Sequence, residues 1–151
     1  MQPSDGEEKS LQMGWYKFLI YFLLYAGAVM NFWDGWGLVT GSVYGDAADE
    51  VYAVFSAMKT VDLPVGILLI ALAVLNLVTR ARLAAFRRNG PKLLCLCYLG
   101  SALINTGYQV SLYVVLPSAV GIGSILGVAL SLTVALINYL YFKKRAGLFV
   151  N

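Results

Sequence analysis

Few residues of this sequence could do chemistry, and their spacing limits what they could do. Histidine is absent. Asp34 and Asp62 are the carboxylates that border apolar stretches. Asp34 closes an aromatic-rich run and opens Asp34-Gly35-Trp36-Gly37, read as a helix exit or a tight glycine-rich turn, which makes it the candidate for an outer ion or ligand contact. Asp62 stands just before Leu63-Pro64, where its side chain would cap a helix whose first turn tolerates a proline. Ser101, Asn105 and Gln109 recur every fourth residue and therefore share a helical face. That face is the candidate polar pocket, but amides exchange no protons and supply no general acid or base. Cys95 and Cys97 are two apart, off a common face, and form neither a disulfide framework nor a four-ligand zinc set. They read as small apolar side chains. Of the 10 tyrosines, Tyr21, Tyr25 and Tyr108 lie deep enough in apolar sequence to need hydrogen-bond partners. Phosphate loops, paired catalytic carboxylates, nucleophile elbows and metal signatures are missing from the sequence, so no catalytic residue, metal or cofactor is expected.

The elements that must position these residues are membrane helices. The 151 residues are 60% hydrophobic and 13% charged, far from the roughly 45–50% and about 25% of soluble domains. A polar tail, residues 1–13, precedes one transmembrane domain, residues 14–145, and a short tail, residues 146–151, follows it. Apolar runs over Gly14–Trp33, Leu63–Thr79, Leu93–Val115 and Ala119–Phe142 are each read as a membrane span, since about 20 helical residues cross the hydrocarbon layer. Ala26-Gly27-Ala28 has the form of a signal-peptide cleavage site, but the apolar run continues past it and the preceding tail is acidic, so a retained anchor is expected. Between the first and second spans, Ala47–Met58 carries Val51, Val54, Phe55 and Met58 at helical spacing and reads as a short amphipathic helix in an outer loop. The turn Leu116-Pro117-Ser118 joins the last two spans. The expected fold is all-α, a polytopic bundle of four transmembrane helices in two antiparallel hairpins.

Charge orients this bundle. Arg80, Arg82, Arg87, Arg88 and Lys92 crowd the loop between the second and third spans, and Lys143, Lys144 and Arg145 close the fourth. Basic residues beside spans are retained in the cytoplasm, which puts both termini there and the acidic loop outside, in a bacterial inner membrane. The net charge of +3 is sorted by side. It is therefore read as topology and lipid-headgroup contact, not as a nucleic-acid footprint. A second pattern runs through span four: Ala119, Gly123, Gly127, Ser131 and Ala135, small residues at every fourth position. Such a ridge lets another helix approach closely, either within the bundle or from another copy of the chain.

The phrases Lys17-Phe18-Leu19-Ile20-Tyr21-Phe22, Thr40-Gly41-Ser42-Val43-Tyr44, Asn89-Gly90-Pro91-Lys92 and Tyr141-Phe142-Lys143-Lys144-Arg145-Ala146-Gly147-Leu148-Phe149 resemble those of small four-span membrane proteins of Gram-positive gut bacteria. The resemblance covers nearly all of the chain. It implies four spans and a bacterial origin, and carries over no activity or catalytic residues.

Two function classes fit. The first is a non-enzymatic membrane protein acting through helix packing, as an accessory subunit or a homo-oligomer, with lipid and a second membrane chain as partners. The second is a small channel or transporter whose path follows Ser101, Asn105 and Gln109.

Overall fold

Backbone geometry divides the chain more finely than hydropathy does. The computed structural model describes residues 14–115 and 122–144, with the side chains of residues 122–125 outside that description. Both tails, Leu116-Pro117-Ser118, Ala119 and Arg145 lie outside the described residues. Helix α1 spans residues 14–40 and contains one π-helical turn, Leu19–Leu23. A 3₁₀ turn, Ser42–Ala47, leads to the short α2, Ala48–Val54. Then follow α3, Ser56–Ala84; α4, Gly90–Val115; and α5, Ile122–Lys143. Four helical stretches are long and apolar enough to cross a membrane. Large apolar side chains such as Val29, Trp33, Leu103 and Val114 are exposed on the outside of the bundle, as lipid contact requires. The molecule is an all-α, multi-pass membrane protein.

Several boundaries differ from expectation, each for a local reason. The first helix does not end at Trp33, and Asp34-Gly35-Trp36-Gly37 is not a turn. Gly35 is buried within α1, where an added Cβ would stand 2.7 Å from the Gly66 carbonyl oxygen. The stop comes at Gly41, in the left-handed region at φ 78°, which glycine enters without a Cβ penalty. The second long helix starts at Ser56, after Phe55 breaks the chain at φ −119°, ψ 66°. Met58 thus belongs to α3, and Val54 is 72% exposed, so the four apolar residues assigned to an outer amphipathic helix do not share a buried face. Asp62 lies inside α3 and caps nothing.

The basic loop is also shorter than its charge pattern suggested. Arg80 and Arg82 are on α3 and Lys92 is in the first turn of α4, leaving Arg87 and Arg88 in the connection. Helix α3 ends in a Schellman-type turn: Phe86 N–H donates to the Leu83 carbonyl at 2.8 Å and Arg87 N–H to the Arg82 carbonyl at 3.0 Å. Phe86 occupies the left-handed position at φ 51°, where glycine is usual. Its ring stacks on Tyr16 at 5.4 Å, a contact glycine would forfeit.

Helix α1 packs along α3, from Tyr16 beside Leu83 to Gly35 beside Gly66. Helix α4 also packs against α3, with Gly90 against the Leu83 backbone and the Thr79 hydroxyl 3.2 Å from the Cys97 sulfur. At the basic end a buried cluster of Tyr16, Leu19, Ile20, Leu24, Leu83, Leu94 and Phe142 joins α1, α3, α4 and α5. The indole N–H of Trp15 donates to the Asn138 side-chain oxygen at 3.1 Å. Asn138, fully buried, in turn donates to the Val134 carbonyl. The Tyr16 hydroxyl donates to the Leu83 carbonyl, so Tyr16→Phe should lower stability by about 1 kcal/mol, the net value of one such bond. Thermal unfolding in detergent checks this, and an unchanged Tm would contradict it.

Candidate functional site

Helix α3 buries one stripe, Met58, Asp62, Gly66, Leu69, Leu72, Ala73, Asn76, Thr79 and Leu83, and apart from the adjacent pair Leu72 and Ala73 the steps of three and four are those of a single helical face. One member of that stripe is a carboxylate. Asp62 has no solvent exposure, and at 1.5 Å per residue it stands about 33 Å along α3 from Ala84, roughly a hydrocarbon thickness away. A carboxyl group closed off from water is expensive and marks a site unless its charge and lone pairs are satisfied.

The connector between α1 and α3 is shaped to reach it. Gly41 ends α1, and Tyr44 N–H donates to the Gly41 carbonyl at 3.0 Å. The Thr40 hydroxyl donates to the Trp36 carbonyl at 2.8 Å and lies 2.9 Å from the Ser42 hydroxyl. Gly45 then takes φ 59°, ψ −138°, a backbone conformation essentially confined to glycine. This kink turns the chain into α2 and puts Tyr44 and Tyr52 side by side, their rings 5.5 Å apart and nearly perpendicular. Gly41 is required here a second time, because an added Cβ would meet the Tyr52 ring at 3.1 Å.

Both hydroxyls converge on one carboxylate oxygen. Tyr44 donates to Asp62 Oδ2 at 2.9 Å and Tyr52 to the same atom at 3.2 Å. Tyr108, on α4, stands close enough to interact with Tyr44, Tyr52 and Asp62. The other oxygen, Asp62 Oδ1, is buried and has no hydrogen-bond partner among the described residues. The Lys59 ammonium lies 5.9 Å from the centre of the Tyr52 ring. Three polypeptide segments, the connector, α3 and α4, thus meet at one acid.

The residues singled out by spacing are placed elsewhere. Asp34 is exposed on α1. Asn105 donates to the Ser101 carbonyl at 2.8 Å and approaches the Ser101 hydroxyl at 3.3 Å, so this pair is satisfied along its own helix. Gln109 is not joined to them; its side-chain oxygen is buried without a partner among the described residues. On α5, only the helical backbone of Gly123 is described. Gly127 is exposed with nothing within 4 Å of an added Cβ, Ser131 donates to the Gly127 carbonyl at 3.0 Å, and Ala135 is buried. Tyr21 is 66% exposed and does not need the internal partner expected for it. Cys97 is buried and Cys95 half-buried, both free thiols.

Arg80 joins α3 to α1. Its guanidinium lies 4.8 Å from the centre of the Tyr25 ring, and its Nε donates to the Ile20 carbonyl, in the π-turn, at 3.4 Å. Arg82, Arg87, Arg88, Lys92 and Lys144 are exposed. Lys143 is exposed too, with its ammonium 5.9 Å from the Tyr139 ring centre.

Sequence spacing missed the Asp62 cluster because its members are 8, 10 and 46 residues apart and come from three segments. The signal that could have found it is Asp62 itself, four residues beyond Met58 and four before Gly66, on the face that α3 buries. Comparison with protein-family models, curated proteins and solved structures finds no match.

Proposed function

We propose that this chain is a non-catalytic integral membrane protein that acts through the packing of its helices, as an accessory subunit or a homo-oligomer. The observation that carries the reading is how the polar groups of the helices are used. Trp15 with Asn138, Thr79 with Cys97, Tyr16 with Leu83, and Arg80 with Ile20 all join one helix to another. In lipid, where apolar faces gain little from meeting each other, such bonds and close backbone approach hold helices together. Polar side chains spent in this way are not available to line a path. The bundle is read as two antiparallel hairpins with both termini in the cytoplasm of a bacterial cell, because the basic residues cluster at one end.

The ridge on α5 supplies the contact for a second chain. Among the described residues nothing lies within 4 Å of a Cβ added at Gly127, so Gly127→Leu should leave the fold and Tm of the protomer in place while reducing the mass of any assembly. Light scattering of the detergent-solubilised protein reads the mass. An assembly of unchanged mass would remove the ridge from its interface, and flux of ions through vesicles reconstituted with the chain would overturn the packing reading itself.

A further inference from the structure

A carboxylate taken out of water needs a partner for its charge as well as for its lone pairs. The Tyr44 and Tyr52 hydroxyls both donate to Asp62 Oδ2, while Oδ1 is buried without a hydrogen-bond partner among the described residues. Lys59, one turn earlier on α3, does not supply the counter-charge: its ammonium rests on the face of Tyr52. Each phenol that donates its proton to Oδ2 keeps oxygen lone pairs, and Tyr108 brings a third phenol oxygen from α4. The cluster is therefore a set of oxygens gathered round one carboxyl group whose Oδ1 has no partner among the described residues.

We propose that Asp62, with the hydroxyl oxygens of Tyr44, Tyr52 and Tyr108, binds a dehydrated alkali cation, Na⁺ or K⁺, against Oδ1. A monovalent ion is the class that fits. One carboxylate neutralises it, whereas divalent ions such as Ca²⁺ are held by six to eight oxygens, commonly from several carboxylates. Asp34, Asp46, Asp49 and Glu50 are all exposed, and no metal-holding group of three His, Cys, Asp or Glu side chains occurs among the described residues. The ion ties the connector, α3 and α4 together, so its binding stabilises the bundle.

The test uses the full chain in detergent, with thermal unfolding followed in sodium, potassium and N-methyl-D-glucamine chlorides at matched ionic strength. Sodium or potassium should raise Tm saturably where the organic cation does not. Asp62→Asn keeps an oxygen for the Tyr44 and Tyr52 hydroxyls but removes the charge, and should abolish the rise. Tyr108→Phe should move its midpoint to about tenfold higher salt, the effect of losing one oxygen contact. Equal Tm in all the chlorides, or a sodium and potassium effect that persists in Asp62→Asn, overturns the site. A Tm that follows pH and ignores the cation assigns Oδ1 to a proton and overturns it as well. Should Asp62→Asn fail to fold, sodium NMR of the wild type decides: exchange broadening relieved by potassium supports the site, and an unbroadened line rejects it.

Discussion

Gly66→Leu should leave no folded, monodisperse bundle. The backbones of α1 and α3 touch at Gly35 and Gly66. A Cβ on Gly66 would stand 2.7 Å from the Gly35 carbonyl oxygen and 2.8 Å from Val39 Cγ2. A Cβ on Gly35 would stand 2.7 Å from the Gly66 carbonyl and 2.9 Å from Ile70 Cγ1. The obstacle on each side is main chain, which cannot swing away as a flexible side chain does. Accommodating even a methyl group means separating two helices that pack along most of their length. Gly66→Ala should therefore cost about 1–3 kcal/mol, and Gly66→Leu more than about 3 kcal/mol. Gly107→Ala is the control, since no described residue lies within 4 Å of an added Cβ there; it should fall within about 0.5 kcal/mol of wild type. Thermal unfolding and size-exclusion profiles in one detergent give all these values. Wild-type behaviour of Gly66→Leu would mean that the helices do not cross at this point.

Asp62→Ala should release the connector from the bundle. The substitution leaves the hydroxyls of Tyr44 and Tyr52, both donors to Oδ2, without their acceptor in a half-buried site. Stranded polar groups of this kind cost about 1–3 kcal/mol each, and the combined loss should be about 2–4 kcal/mol. The expected result is a lower Tm together with faster chymotrypsin cleavage at Tyr44 and Tyr52, while the basic end, held by Tyr16, Leu83 and Leu94, stays protected. Cleavage at the wild-type rate would show that the connector is held by something other than the carboxylate. The two variants probe different levels of the fold: Gly66 sets the distance between α1 and α3, and Asp62 sets where the segment joining them lies.

Hydropathy was enough to read the spans, because a bilayer imposes a length on any helix that crosses it and an apolar composition on its surface. The helix ends were less legible. Asp34-Gly35-Trp36-Gly37 has the composition of a turn, yet it stays helical because Gly35 is used for close approach to Gly66. Asp62-Leu63-Pro64 has the composition of a helix start, yet Ser56 begins the helix and the proline is carried inside it. In both places one residue type serves two purposes: glycine bends a chain or lets chains touch, and aspartate caps a helix or accepts hydrogen bonds from a distance. Local sequence cannot choose between them, since the choice depends on what stands opposite.

The same reason separates the two candidate polar sites. Ser101, Asn105 and Gln109 were visible as a pattern because helical periodicity alone aligns them. The Asp62 cluster was not, because Tyr44 reaches it through the left-handed turn at Gly41, Tyr52 through the kink at Gly45, and Tyr108 from a different membrane helix.

By itself, then, the sequence determined that this is an all-α, four-span membrane protein with most of its basic residues beside the ends of spans, since solvent and bilayer act on composition and length. Only the tertiary structure decided that α1 and α3 meet backbone to backbone at a pair of glycines and that the buried acid of α3 is clasped by tyrosines from the connector and α4. Those contacts depend on how helix faces are rotated and how a short connector bends, and both are settled by packing between segments distant in the chain.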